Sequence, residues 1–345
     1  MNRKSFFIAG ILLAAGFAGN AARAHQLGCW IQADRNVKIR NAAGAQASAA
    51  INDWNSMTIL NISLVSSGEE IYVFNSNAGA TGWGSLFSIT NYQGCIIHRA
   101  VVQVNTYYFS TTSTTARGTY CQEIAHGFGL DHSNDGGCMG GGYWYDMATH
   151  YRPVAHNVSD IAAMYADRVA ANPTHPTVGP EADALRLQAV WANNPRTLGE
   201  TSRLATDIVV ATVTDVADGA PIVSRQKDGI VSRIPTQRVT FNVRRTRKGP
   251  MVAGESFVLF QNGNERNRFF EDPSYKVGSR HLLFLTERGD GTYLVVSPQG
   301  RFEVTTRGLV PAARQGFAAE LEGTSLQDVL FDVTQSLSAD EVSGE

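Results

Sequence analysis

The sequence predicts an α+β protein in two parts. Residues 25–170 read as a twisted sheet with three helices, and residues 198–335 as a smaller all-β domain, either a barrel or a sandwich. Three observations lead there. Strand-like and helix-like apolar periods alternate before about residue 170, and only strand-like runs remain after Thr206. Between the two lies "ANPTHPTVGPEA" (Ala171–Ala182), whose three prolines mark a linker. A chain of 345 residues also fits about two domains on the usual ~150-residue prior.

At the start, Arg3 and Lys4 precede the apolar run Phe6–Gly19, and a small-residue cleavage pattern follows at Ala22-Arg23-Ala24. Residues 1–24 therefore read as a secretory signal peptide, with a secreted or periplasmic chain beginning at His25. No other run approaches the roughly 20 apolar residues of a spanning helix, so no membrane span is expected. Val37–Arg40 reads as a strand and Ala45–Met57 as a helix offering Ala49, Ile51 and Trp54 to a core. Glu70–Ser76 and Ala100–Phe109 read as strands, with a glycine-rich loop (Asn77–Ser85) between them. A second helix starts at Cys121, and a third covers Ser159–Ala170 with Ser159 or Asn157 as its cap. The linker region, 171–197, holds a predicted short helix at Ala182–Asn194. In the β domain, Asp290-Gly291 between two apolar runs signals a hairpin, and residues 336–345 read as a tail.

Charge narrows the function classes. The chain carries 29 Lys and Arg against 31 Asp and Glu, and loss of Arg3, Lys4 and Arg23 with the leader takes the formal net charge from −2 to −5. That argues against nucleic acid as the main partner, because neutralising phosphates needs a surplus of cations. "RRTRKG" (Arg244–Gly249) reads as a solvated strand end. Four cysteines fit an oxidising compartment and allow three disulfide pairings.

The chemistry concentrates in "CQEIAHGFGLDHS" (Cys121–Ser133). On a helix Gln122 and His126 share a face, Glu123 lies beside it, and Gly129 can take the positive φ that turns the chain and returns His132. Three side chains and an acid converge, as a catalytic zinc requires. The stretch resembles the metzincin signature H-E-x-x-H-x-x-G-x-x-H, matched at Glu123, His126, Gly129 and His132 and broken at Gln122. "GLDHS" is especially similar to the matrixin branch. The resemblance, over about residues 30–170, implies a matrixin-like zinc endopeptidase acting on polypeptide. Glu123 would be its general base, His126 and His132 its metal ligands, and Met139 its methionine turn, with Met147 a later candidate. It also places Cys121 and Cys138 where a bridge would tie the metal helix to the methionine turn, leaving Cys29 to pair with Cys95. Tyr143 or Tyr145 would follow the turn near an oxyanion. Substrate would pair with an edge strand, for which Ala100–Phe109 or its neighbour is the candidate.

Gln122 leaves three readings open. Its amide oxygen, or another group, takes the histidine's place and Glu123 still activates water; or metal binding is weak or lost and a catalytically inactive secreted binding protein remains; or a distant ligand such as His25 completes the site, Cys29 reaches it as an inhibitory thiolate, or a different metal is bound. His98, His150, His156, His175 and His281 show no pairing at metal-ligand spacing and read as ordinary histidines. Calcium stays open, without a motif for it, as does the oligomeric state. The β domain is similar in topology to secreted netrin-like modules of the oligomer-binding-barrel type, which carries no function by itself.

Overall fold

A computed structural model describes residues 25–108, 110–133, 135–140, 147–168, 185–225, 231–269, 271–314 and 316–343. The predicted leader, the proline-rich segment to residue 184, Tyr143, Tyr145 and His175 lie outside these residues. The protein is a mixed α/β molecule with two sheets. No helix among the described residues is long and apolar enough to cross a membrane.

The first half begins with β1 (Ile31–Gln32), β2 (Asn36–Asn41), α1 (Ala45–Met57), β3 (Asn61–Leu64) and β4 (Ile71–Ser76). It continues with β5 (Trp83–Gln93), β6 (Ile96–Asn105), α2 (Thr114–Gly127) and α3 (Ala155–Met164). In α1 the buried face is Ala47, Ala50, Ile51 and Trp54, a spacing of three and four residues; Ala49 sits beside this face, not on it. Trp54 packs edge-on to Phe128 and its indole donates to the Cys121 carbonyl (2.9 Å), which locks α1 to α2. α2 starts seven residues earlier than its sequence suggests, because Ser113 caps it by accepting from the Ala116 amide. α3 also starts earlier, at Ala155, where the Asn157 side chain accepts from the Val154 amide.

Strands β2, β3, β4 and β6 are mutually parallel, and β5 runs antiparallel to β6. β5 contradicts the expected glycine-rich loop, which is confined to the residues before Trp83. The sheet does not end there. β7 (Leu185–Trp191) pairs antiparallel with β5, from Ser88↔Leu187 to Trp83↔Trp191. The predicted helix at Ala182–Asn194 is thus a strand over Leu185–Trp191, since pairing and burial of Leu187, Ala189 and Trp191 outweigh a modest helix propensity.

The second half has α4 (Leu198–Leu204), β8 (Asp207–Arg225), β9 (Val231–Lys248), β10 (Ser256–Asn262) and β11 (Asn267–Phe269). After these come β12 (Arg280–Glu287), β13 (Tyr293–Val295), β14 (Arg301–Thr305), β15 (Gly308–Pro311), α5 (Gly316–Glu320) and α6 (Leu326–Ser343). β8, β9, β10, β13 and β12 pair in a closed circuit, so this half is a barrel, not a sandwich. Val209, Ala211, Leu283 and Leu285 fill one core, while the alternating Ile208, Val210, Leu282 and Phe284 fill a second under α6. The half is therefore not all-β. The supposed tail from residue 336 continues α6, whose Val329, Leu330 and Val333 cover the barrel's outer face.

Nor is the boundary between the halves clean. β11 crosses from the barrel to pair in parallel with β7 at the end of the first sheet. Trp83, Leu86, Leu187, Trp191, Ile234 and Phe269 form one core shared by both halves.

Candidate metal-binding active site

Gly118 lets α2 approach the Met147 backbone closely, where a Cβ would stand 2.7 Å from the Met147 carbonyl oxygen. Gly129 ends the following turn at φ +91°, and a Cβ there would fall 2.2 Å from the Trp30 carbonyl oxygen. This turn brings His132 back over α2. The His126 and His132 rings lie 4.9 Å apart between centroids in a T-shaped arrangement. The Gln122 amide nitrogen lies 2.6 Å from His132 Nε2. Below them Met139 is fully buried in a 3-10 turn, and its carbonyl accepts from the Ser133 amide at 2.8 Å. Disulfides join Cys121 to Cys138 and Cys29 to Cys95. The first ties α2 to the Met139 turn; the second holds the entry segment beside β1 to the start of β6.

Hydrogen bonding fixes the protonation of His126. Its Nδ1 lies 2.7 Å from the Leu130 carbonyl, an acceptor only, so Nδ1 carries the proton and Nε2 keeps a free lone pair. Burial, then the neighbouring His132, pushes its pKa down to about 3. Burial also lowers that of His132, so both imidazoles are neutral donors.

Glu123 accepts from the Ser85 hydroxyl of β5 at 2.5 Å. Burial raises its pKa to about 8, opposed by the Ser85 bond and by the backbone at Val190 and Phe87. Three groups reach the site that its short motif does not contain. Ser85 orients Glu123; Gln188 of β7 donates to Asp131 at 3.3 Å; and Glu271, just past β11, places Oε1 3.9 Å from His132 Nδ1. Burial raises Glu271 to about 8, with Asp131, Glu123 and Asp272 adding to the effect.

Several buried oxygens here have no hydrogen-bond partner: Gln122 Oε1, Glu123 Oε2 and both oxygens of Glu271. Buried polar atoms are nearly always paired, and carboxylates more strictly so. Two neutral imidazoles are nitrogen donors of the kind zinc takes, but among the described residues the group whose three ligand atoms lie within 4.8 Å of one another is His25, Asp135 and His156.

His25 does not join this set. Its Nδ1 lies 2.8 Å from His156 Nε2 and 3.4 Å from Asp160 Oδ2, and His156 Nε2 lies 3.1 Å from Asp135 Oδ2. These groups form a separate, partly exposed cluster at the start of α3. His156, read alone as an ordinary histidine, meets Asp160 one helical turn on at 3.2 Å, and gains further partners from residues 25 and 135, which local spacing does not reveal. Cys29 is held in its disulfide, so it is not a ligand. His281 is buried in the second half, 2.8 Å from the Ser279 hydroxyl. β6 is internal to the sheet, and β5, its neighbour toward the second half, is already paired by β7. No family model matches this chain, and no curated protein matches it.

Proposed function

We propose that this protein is a secreted, zinc-dependent endopeptidase of the matrixin-like metzincin type, with His126 and His132 as metal ligands and Glu123 as general base. The observation that carries this reading is that Gln122, His126 and His132 meet as the motif requires, with buried unpartnered oxygens on Gln122 and on the neighbouring Glu123. A relic of structure alone would gain nothing from a buried carboxyl with one oxygen left unpartnered at that position. The two disulfides fit a compartment in which such bonds persist.

A zinc ion bound there would supply a water of lowered pKa and a Lewis acid for the scissile carbonyl. The chain's own residues would do the rest. Glu123, buried and with its pKa raised to about 8, is matched to taking a proton from water and returning it to a leaving amine near neutral pH. Ser85 holds the carboxylate in place. Met139 and the Cys121–Cys138 bridge stiffen the floor beneath α2. A polypeptide substrate binding by backbone pairing to β5 would need an edge that β7 already occupies.

The test is zinc content of the purified protein after exhaustive dialysis, together with hydrolysis of unfolded casein by wild type and Glu123→Gln. The expected result is about one zinc per chain in both. Turnover should fall on the order of 10² to 10⁴-fold in the variant. The rival reading is a catalytically inactive binding protein on the same scaffold, favoured by Gln122 and by β7 covering β5. Zinc uptake only by Gln122→His, with no wild-type turnover to lose, would establish that rival.

A further inference from the structure

We infer that His25, Asp135 and His156 form a structural zinc site, built from residues other than those of the His126–His132 centre and independent of the peptidase reading. Their three ligand atoms all lie within 4.8 Å of one another. His25 Nδ1 is 2.8 Å from His156 Nε2, and Asp135 Oδ2 is 3.1 Å from the same nitrogen. Donors about 2.0–2.2 Å from one tetrahedral ion stand ~3.4 Å apart, so a small outward movement of these atoms admits zinc. Asp160 Oδ2 adds a second carboxylate, 3.4 Å from His25 Nδ1 and 3.2 Å from His156 Nε2. Two ring nitrogens 2.8 Å apart cannot both carry protons. One N–H at most is therefore shared among a nitrogen and two carboxylate oxygens. Zinc bound to the neutral rings releases that proton to solvent and takes the lone pairs of both nitrogens and a carboxylate. Among the described residues, Asp135 and Asp160 pair with these histidines and with no lysine or arginine. Calcium and magnesium take oxygen donors, so two imidazoles select zinc over either.

The fold assembles the site from three segments that it already fixes. The His25 carbonyl accepts from the Asp131 amide and the Leu27 amide donates to the Gly129 carbonyl, each at 2.7 Å. The entry segment thus lies antiparallel on the turn after α2, bridged at Gln26↔Leu130. Asp135 follows His132 on the way to the Met139 turn, with its amide 3.4 Å from the Ser133 hydroxyl. His156 stands in the first turn of α3, where Asn157 caps the Val154 amide. An ion here would pin the entry segment and α3 to the loop that joins His132 to Met139. The side chains of His25, His156 and Asp135 are 41%, 36% and 49% exposed, so zinc would keep a face open to water and exchange on dialysis.

The experiment titrates zinc chloride into the dialysed protein by calorimetry, comparing wild type, His156→Gln, and a variant carrying both His126→Gln and His132→Gln. The last variant removes the imidazoles of the candidate active centre and leaves the second site alone. It is expected to take up one zinc and to melt at a higher temperature when zinc is present. Adding His156→Gln to it should weaken that binding at least ~100-fold, beyond the upper end of outer-shell effects, and abolish the rise in melting temperature. A folded His126→Gln/His132→Gln variant that takes up no zinc would overturn the assignment, as would uptake unchanged by His156→Gln. Should the double variant fail to fold, the comparison of wild type with His156→Gln decides. One fewer zinc per chain in His156→Gln supports the site, and equal stoichiometry with equal affinity overturns it. Either result leaves the reading of His126 and His132 to its own test.

Discussion

Gly129 decides where His132 goes. Its φ of +91° lies in the left-handed region, and the Trp30 carbonyl fills the space where a side chain would begin. Gly129→Ala is expected to cost about 2–3 kcal/mol from backbone strain and the forced shift of Trp30. It should also weaken zinc binding by displacing His132; urea unfolding and chelator competition measure the two effects. Buried titratable groups set a second expectation. Burial and Arg301 lower the pKa of His281 to about 3, below its ordinary value of 6.5. The groups around it are Arg301, Tyr275 with its ring 5.0 Å away, and the Ser279 hydroxyl. An unfolded chain protonates this histidine below about pH 6.5 and the folded chain does not, so stability present at pH 7 is lost as pH falls toward 3. At pH 4 the loss amounts to roughly 3 kcal/mol. His281→Gln should flatten that part of the urea-stability profile; an unchanged slope between pH 7 and 4 would sink the argument. Glu123, His126, Gly129 and His132 were legible because their spacing is local. Ser85, Gln188 and Glu271 were not, because they meet the motif only after the sheet is assembled.

Among elements, α2 and the Met139 turn depend on a covalent tie. The Cys121–Cys138 bridge closes a loop with a sequence separation of 17, for which the chain-entropy model gives about 3 kcal/mol. Cys121→Ser combined with Cys138→Ser should lower unfolding free energy by that amount. The loss of zinc affinity should exceed that caused by removing Cys29–Cys95, because only the first bridge lies beneath the site. Equal losses from the two bridges would place the effect in global stability and not in the floor of the site. α1, β2 and β4 were readable from period and burial alone. β5 was not, since Gly82 and Gly84 disguised its start within a loop-like run. β7 misled for a different reason. Leu185, Leu187, Ala189 and Trp191 alternate as a strand should, yet the segment is rich in good helix formers, and only the exposed edge of β5 makes the strand the better choice.

For the whole molecule, the decisive fact is that the barrel half completes the sheet of the first half. Composition near residue 170 marks a change of architecture but not an independent boundary, because the proline-rich segment leads straight into β7. Trp83, Leu86 and Trp191 of the first sheet share one core with Ile234 and Phe269. Separating the halves exposes that core, and each large side chain brought back to water costs about 1.5–3 kcal/mol. A long unpaired edge of β5 is also left as a template for association. The full chain should therefore unfold in one calorimetric transition, and a fragment of residues 25–168 should be aggregation-prone and much less stable than the parent. Adding back residues 185–191 in strand register should restore part of its solubility by covering β5. Two resolved transitions, with the fragment's melting temperature matching the first, would show that the sheet's last two strands contribute little.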